Sequence, residues 1–276
     1  TVTVEDNINP TAVGQDITVQ LDATGNATIT TADIDNGSSD NCGAPTLGLD
    51  VASFGCADVG PNTVTLTATD GSGNSDSTTA TVTVEDNIDP TAVCQDITIQ
   101  LDASGNASIV AGDIDIGSSD NCSVSLSADV TSFTAADLGA NTVTLTVTDP
   151  SGNTAVCTAV VTVQDNIAPI AVCQDFTVAL DATGNATIVA GDIDNGSSDN
   201  DSVASLSLDT SSFTCADLGT NTVTLTVTDP SGNSSTCTAT VTVEDNINPT
   251  AVGQGITVQL DATGNATITT ADIDNG

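Results

Sequence analysis

The sequence predicts an all-β chain of tandem immunoglobulin-like β-sandwich domains that form an extended rod. Three observations predict it. Landmark motifs return about every 80 residues, a period that suits one small β domain and is too long for a solenoid coil. Apolar residues alternate with Thr in several segments, as in half-buried strands. Thr, Val and Ile, which favour strands, dominate the composition, and no helical pattern competes with them.

The repeat is clearest in the motif D-N-I-x-P, which begins at Asp6, Asp86, Asp165 and Asp245. Its spacing defines three full repeats and part of a fourth. The predicted domains are residues 5–84, 85–163 and 164–243, with residues 1–4 as the tail of a preceding repeat and residues 244–276 as the start of a truncated fourth repeat.

A longer period lies over the 80-residue one. Residues 244–276 match residues 5–37 at every position except one, where Gly255 stands in place of Asp16. Residues 5–37 differ from the second repeat at nine positions, so the match at longer range is much closer. We therefore expect this chain to be a window cut from a longer tandem array.

Strand and turn signals follow one another within each repeat. The alternating segments of the first repeat are DITVQLD (16–22), NTVTLTATD (62–70) and STTATVTVED (77–86). The turn signals DATGN, DNGSSDN and DGSGN stand between them. We expect about seven short strands per repeat, packed as an immunoglobulin-like sandwich. Phe54, Phe133 and Phe213 are the expected core anchors, one in each domain.

The charge excludes several functions. The chain carries 37 acidic residues and no Lys, Arg or His, for a formal charge of −37. Without cationic side chains it cannot neutralise phosphates, so we expect no nucleic-acid partner. No apolar run is long enough for a transmembrane helix, so we expect no membrane insertion. Only paired carboxylates remain as catalysts, and near-copies of one domain without a distinctive constellation are unlike an enzyme.

Eight cysteines occupy four places in the repeat. At two of these places the second and third repeats both have Cys, whereas the first repeat has Cys at neither. This pattern predicts the disulfides Cys94–Cys157 and Cys173–Cys237, which would join the first and last strands of a sandwich. Disulfides in small domains indicate an oxidising, extracellular location.

The remaining four cysteines leave alternatives open. The first repeat retains Cys42 and Cys56, and we expect these to bond and close a loop of 14 residues, worth about 3 kcal/mol in the chain-entropy model. Cys122 and Cys215 are then left over. They would be free thiols, would pair between chains, or would be remnants of a lost bond.

The acidic loops predict calcium. Asp and Asn oxygens are hard ligands that suit Ca²⁺ at the weak affinities of extracellular modules, about 10⁻⁴–10⁻³ M. In an immunoglobulin-like sandwich the DIDNGSSDN loop and the D-x-S-G-N turn lie at the pole where the linker arrives, so the three clusters would meet at each junction. The candidate ligands are Glu5, Asp6, Asn7, Glu85, Asp86, Asn87, Asp165 and Asn166 in the linkers; Asp33, Asp35, Asp40, Asp113, Asp115, Asp120, Asp192, Asp194 and Asp199 in the loops; and Asp70, Asp149 and Asp229 in the turns.

Two other interpretations of this acidity stay open. In the first, Asp and Asn make ordinary turns by bonding their own backbone. In the second, the charge is a halophilic adaptation that serves solvation alone. Melting with Ca²⁺ against Na⁺ at equal ionic strength separates the second interpretation from specific metal binding.

Several motifs resemble known families. The linker VEDNINP (4–10) is similar to the acidic, Pro-ended junctions of cadherins, which hold Ca²⁺ between domains. The run PTAVCQDITIQLDASGNA (90–107), followed by IGSSDNC (116–122) and TVTLTVTDPSGN (142–153), resembles HYR-type immunoglobulin-like repeats. Such repeats fill very large secreted surface proteins of Bacteroidota, including adhesins of the gliding-motility type. The resemblance covers the whole chain and implies export, cell-surface attachment, long filaments and adhesion.

The leading functional hypothesis is therefore structural: a repeat region of a secreted cell-surface filament or adhesin stalk, stiffened by calcium at its junctions. The alternative is a binding module in which each repeat engages a glycan or mineral surface. The expected partners are the neighbouring repeats of the same chain. Other surfaces, glycans and laterally associated chains stay open as further partners.

Overall fold

The structure is a computed structural model that describes residues 1–275. It contains three repeated β units, each with a four-stranded and a two-stranded sheet, in the arrangement of tandem immunoglobulin-like β-sandwiches. By its contacts the chain divides into two bodies. The first, Thr1–Asp165, holds the first two units, and the second, from Asn166 onward, holds the third.

Each unit has six strands in the same order. The first unit consists of β1 Ile17–Gln20, β2 Asn26–Thr28, α1 Thr31–Ile34, β3 Thr46–Leu49, β4 Ser53–Gly55, β5 Gly60–Thr69 and β6 Ser75–Glu85. The second consists of β7 Ile97–Gln100, β8 Asn106–Ser108, β9 Ser125–Ala128, β10 Ser132–Thr134, β11 Gly139–Thr148 and β12 Thr154–Gln164. The third consists of β13 Phe176–Ala179, β14 Asn185–Thr187, α2 Ala190–Ile193, β15 Ser205–Leu208, β16 Ser212–Thr214, β17 Gly219–Thr228 and β18 Ser234–Glu244.

One long hairpin organises each unit. In the first unit β5 and β6 pair antiparallel, with Gly60 opposite Val84 at one end and Thr69 opposite Ser75 at the other. The order of the large sheet is β1-β6-β5-β3, and β1 runs parallel to β6. The first and last strands therefore lie side by side, as the cysteine pattern required. The small sheet pairs β2 with β4.

The Thr-alternating pattern sets the core. In β5 the side chains of Val64 and Leu66 are buried, and Thr65 between them is only partly covered. The predicted Phe anchors are buried in all three units, and Phe133 is 2% exposed. Phe133 lies on the small sheet and joins a cluster with Val143 and Leu145 of the large sheet. Each unit therefore has its own sandwich core.

Two local expectations differ from the structure. The sequence predicts about seven strands per repeat, but the segment after Pro10 forms only isolated bridges, from Thr11 to Ser39 and from Gly14 to Asp35. A one-turn helix, α1, also follows β2. It forms because the Asp33 carboxylate accepts hydrogen bonds from the Thr30 amide and hydroxyl, both at 2.7 Å, which caps the first turn.

Between residues 245 and 275 the described chain has no strand, and its one helix is α3 Thr270–Ile273. This segment repeats residues 5–37, so it carries the counterparts of β1 and β2 but not of their partners β6 and β4. Unpaired strand segments leave their backbone groups without ladder partners, which accounts for the missing sheet.

Candidate metal centre at the repeat junction

The linker after the first repeat meets a loop of the second. Asp86 follows β6 directly and is 4% exposed. Asp120 lies in the DIDIGSSDN loop that precedes β9. One carboxylate oxygen from each of these residues and the sulfur of Cys122 all lie within 4.8 Å of one another. A carboxylate from the linker and a carboxylate from the next repeat's loop therefore lie in one cluster.

The hydrogen bonds at this junction leave several oxygens without partners. Asp86 Oδ1 accepts from the Ile88 amide and from Asn121 Nδ2, both at 3.2 Å, and Asp120 Oδ2 accepts from the Cys122 amide at 3.1 Å. Within the described part of the chain, Asp86 Oδ2, Asp120 Oδ1 and Asn121 Oδ1 are buried and accept no hydrogen bond. A buried, unpaired carboxylate is costly, and this chain has no cationic side chain to pair with it.

The D-P-S-G-N turn of the second repeat braces the same linker. Asn153 Nδ2 donates to the backbone oxygen of Asp86 at 3.0 Å and to Asp149 Oδ2 at 2.8 Å. Asp149 Oδ1 accepts from the amides of Gly152 and Asn153. Asp149 is buried, but both of its oxygens are already engaged in the turn. Asp149 therefore stabilises its own turn, as the interpretation of these acids as ordinary turn residues predicts.

The third repeat brings the corresponding loop and turn together. Carboxylate oxygens of Asp199 and Asp229 lie within 4.8 Å of one another. Burial raises the pKa of Asp199, and the neighbouring Asp201 carboxyl raises it further. A bound cation would relieve the repulsion between these two neighbouring carboxylates here as well.

The first repeat has an open version of the cluster. Asp6, Asp40 and the Cys42 thiol offer atoms within 4.8 Å of one another. The thiol hydrogen bond lowers the pKa of Asp6 and, with the Asp6 charge, raises the pKa of Cys42. Asn74 Nδ2 donates to the Asp6 backbone oxygen at 2.9 Å and to Asp70 Oδ2 at 2.7 Å, which repeats the bracing seen at Asn153.

Six of the predicted loop ligands serve the local backbone instead. Asp33 and its equivalents Asp113 and Asp192 accept from the amide three residues before them. Asp35 and its equivalents Asp115 and Asp194 accept from the following Ser amide. The Ser38 hydroxyl and amide lower the pKa of Asp35. Among the described residues, these six belong to no group of three acidic or thiol side chains close enough to share an ion.

The remaining predicted linker ligands have different surroundings. Glu85 Oε2 accepts from Gln20 Nε2 at 2.7 Å, and Asn87 Nδ2 donates to Gln20 Oε1 at 2.7 Å. The side chains of Glu5, Asn7 and Asn166 are exposed, and Asp165 is buried.

Asn121 also belongs to the cluster, although it is not among the ligands predicted from the sequence. Its side chain contributes one of the unpaired oxygens, and its Nδ2 crosses the junction to the Asp22 backbone oxygen at 3.2 Å. A signal was present, because Asn follows the last loop Asp in every repeat, at Asn41, Asn121 and Asn200.

Residues 1–275 contain three disulfides. Cys94 bonds to Cys157 within the second repeat, and Cys173 bonds to Cys237 within the third, which are two of the predicted pairs. The third disulfide joins two different repeats, because Cys56 bonds to Cys122.

The predicted Cys42–Cys56 bond is therefore wrong, and Cys42 is an exposed free thiol. The two cysteines lie at opposite poles of the sandwich. The Cys42 sulfur lies within 4.8 Å of an Asp6 carboxylate oxygen, where the chain enters the repeat, whereas Cys56 Sγ lies 3.7 Å from the Gly25 backbone oxygen, beside the next repeat's loop. Proximity in sequence was misleading because the chain crosses the sandwich between these residues.

The cluster at the first junction suits a hard cation. Ca²⁺ takes six to eight oxygen ligands from carboxylates, amides, carbonyls and water. Asp86, Asp120 and Asn121 offer three oxygens that accept no hydrogen bond from any described residue. The Cys122 sulfur is held in its disulfide, so it is no thiolate ligand, and the oxygen donors favour Ca²⁺ over zinc.

No helix among the described residues has the length and apolar character needed to cross a membrane.

Comparisons with known proteins identify no family. No protein-family model matches the chain, and no curated protein matches it. Among solved structures, the EC1-4 fragment of PcdhgB3 is 14% identical, with 87% of this chain and 76% of that chain covered and a TM-score of 0.35. Drosophila N-cadherin EC1-4 is 12% identical, with 86% of this chain and 74% of that chain covered and a TM-score of 0.34.

A three-domain immunoglobulin structure of titin is 11% identical, with 86% of this chain and 99% of that chain covered and a TM-score of 0.34. At these identities and scores the likeness carries no argument about function. The assignment of an immunoglobulin-like sandwich depends on the strand order and cores of the chain itself.

Proposed function

We propose that this chain is part of the structural stalk of a secreted cell-surface filament or adhesin, in which Ca²⁺ binds at the junctions between repeats. The observation that carries the proposal is the set of buried, unpaired oxygens of Asp86, Asp120 and Asn121. These residues come from a linker and from the loop of the following repeat, so an ion bound there would hold two repeats together.

The tandem organisation supports a structural role. Three near-copies of one β-sandwich, each with its own core, provide length and repetition. The disulfides fit an oxidising, extracellular environment. The resemblance to HYR-type repeats of Bacteroidota surface proteins points the same way, and we extend it to adhesion at the cell surface. We propose no enzymatic activity.

The affinity expected of such a site sets the size of the effect. For a Kd of about 10⁻⁴–10⁻³ M, Ca²⁺ at about 10 mM is present at roughly 10 to 100 times Kd. Binding to the folded state alone then stabilises it by about 1.4–2.7 kcal/mol per site. Part of this gain comes from neutralising carboxylates that are otherwise buried without a partner.

We expect Ca²⁺ to stabilise the first junction of the natural chain by about 1.4–2.7 kcal/mol relative to Na⁺ at equal ionic strength. Asp86→Asn should remove most of this gain, because the amide keeps the shape but loses the charge. Without Ca²⁺ the same variant should be as stable as the natural chain or more so, because a buried charge is gone. Hydrogen exchange of the β6 and β9 amides measures both effects at the junction itself.

Asp89→Asn is the matched control. It makes the same change three residues later, at an exposed position that carries Asn in other repeats, at Asn9 and Asn248. We expect it to retain the full Ca²⁺ effect. Equal protection by Ca²⁺ and Na⁺ in the natural chain would contradict the metal site and favour the halophilic interpretation.

The stalk itself has a separate test. The longest strand of a repeat, β6, has 11 residues, which corresponds to about 36 Å at ~3.3 Å per residue. We therefore expect electron micrographs of the chain to show a row of equal beads spaced by roughly 35–45 Å. A single globular particle would contradict the stalk, even if Ca²⁺ still binds.

A further inference from the structure

The disulfide between Cys56 and Cys122 fastens one repeat to the next. Cys122 packs against the core cluster of the first repeat. Its neighbour Asn121 lies over the D-A-T-G-N turn, where its Nδ2 donates to the Asp22 backbone oxygen at 3.2 Å. The contact is close, because a Cβ added at Gly25 would stand 2.6 Å from the Asn121 backbone oxygen. The pole of the first repeat is thus covered by the next repeat's D-N-C loop.

Cys215 has the same local setting in the third repeat. It begins a 3₁₀ turn, Cys215–Asp217, as Cys56 begins Cys56–Asp58. Its Sγ lies 3.7 Å from the Gly184 backbone oxygen, the distance that separates Cys56 Sγ from the Gly25 oxygen. Cys215 nevertheless is an exposed free thiol. It therefore has the position of Cys56 without the bond.

The surface beside Cys215 is a depression. It is lined by residues of the D-A-T-G-N turn, including Asp181 and Gly184, and by linker residues that include Asp245 and Ile247. The corresponding turn of the first repeat is where Asn121 and Cys122 lie. A D-N-C loop from a following repeat is thus the occupant whose chemistry fits this depression.

Cys42 is the complementary half. It ends a D-N-C loop, Asp40–Cys42, as Cys122 ends Asp120–Cys122. Its amide donates to Asp40 Oδ2 at 2.8 Å, as the Cys122 amide donates to Asp120 Oδ2. It is also an exposed free thiol. Between the second and third repeats, neither of the two places holds cysteine. The second repeat has Ala135 at the place of Cys56, and the third repeat has Asp201 at the place of Cys42.

We propose that Cys215 is the upstream half, and Cys42 the downstream half, of disulfides that link successive repeats, each with a further copy of the repeat as its partner. The bond forms by thiol–disulfide exchange with a small-molecule disulfide. The two cysteine thiols lose two protons and two electrons, the new S–S bond forms, and the small disulfide is reduced to two thiols. This proposal does not depend on Ca²⁺.

The test extends the full chain at its start with a copy of residues 164–239. The extension continues without a break, because Thr1–Val4 repeats Thr240–Val243, and it contains a third repeat with its own Cys215. After oxidation by a small disulfide, we expect the added Cys215 to bond to Cys42, which leaves one free thiol, the original Cys215. Digestion with an Asp-specific protease and mass spectrometry should yield the joined peptide, since the chain has no Lys or Arg for trypsin.

Cys42→Asp in the extended chain is the matched control, because Asp201 stands at this place in the third repeat. We expect it to leave two free thiols, both copies of Cys215. Three free thiols in the extended chain would overturn the proposal, and so would a bond from Cys42 to another molecule in place of the added repeat. The Cys173–Cys237 bond and the hydrogen-exchange protection of the added copy report that it has folded.

A second variant tests Cys215 from the other side. Appending residues 38–84 after Gly276 completes the fourth repeat and supplies a D-N-C loop. With Cys56→Ala in the appended copy, the appended Cys42 should bond to Cys215 and leave one thiol, the original Cys42. Three thiols here would also overturn the proposal.

Discussion

Replacing Cys94 and Cys157 together with Ala is expected to lower the free energy of unfolding of the second repeat by about 4 kcal/mol. The two residues are 63 apart in sequence, and in the chain-entropy model a loop of that length restricts the unfolded chain by about this amount. The loss is large for a domain of about 80 residues, since whole small domains are stable by only about 5–15 kcal/mol.

Hydrogen exchange of the β11 amides measures this loss, because these amides lie in the core hairpin and exchange through unfolding of the repeat. Fluorescence is a poor probe, as the chain has no Trp or Tyr. The β17 amides of the third repeat serve as the internal control, since that repeat retains Cys173–Cys237. A loss below about 1 kcal/mol would show that the bond does not act through the unfolded chain.

The first repeat allows the reverse experiment. It has Gly14 and Thr78 where the other repeats have the bonded cysteines, and a Cβ added at Gly14 would stand 3.1 Å from Thr78 Cγ2. Gly14→Cys with Thr78→Cys should therefore form the missing disulfide and stabilise the first repeat by about 2–4 kcal/mol. Failure of the pair to bond under the same oxidation would show that the two repeats differ locally.

The features that the sequence predicted well all come from periodicity. The alternation of Val, Leu and Ala with Thr in residues 62–70 identifies both the strand and its buried face, because a strand side chain can face only two ways. Cys94 and Cys157 are both present in the second repeat, and their equivalents in the first repeat are both other residues. This joint occurrence indicates a contact even when no distance is known. Repetition within one chain thus supplied the comparison on which these inferences depend.

The features that it missed depend on which pole of the sandwich a loop occupies. Cys42 and Cys56 lie close in sequence but at opposite poles. The same cause separates the loop acids. Asp115 accepts a hydrogen bond from the Ser118 amide of its own turn, whereas Asp120 lies beside Asp86 of the linker. The pattern D-I-D-I-G-S-S-D gives no sign of which Asp faces the junction, since each of them suits a turn equally well.

Phe133→Ala is expected to cost the second repeat about 3–5 kcal/mol, because it empties the largest buried side chain of a small core. Phe133 is 2% exposed and is clustered with buried residues of the facing sheet, including Val143 and Leu145. Phe133→Leu is the matched control. It should cost roughly 1–2 kcal/mol, since Leu fills most of the space.

Hydrogen exchange should place this loss in one repeat. Phe133 belongs to the core cluster of the second repeat alone, and Phe54 and Phe213 occupy the same place in the clusters of the other two. The β17 amides should therefore keep their protection when the β11 amides lose theirs. A loss shared equally by both strands would mean that the repeats unfold as one cooperative unit. Separate losses would mean that the repeats of a stalk unfold one at a time. The Cys56–Cys122 bond would still join the first two repeats.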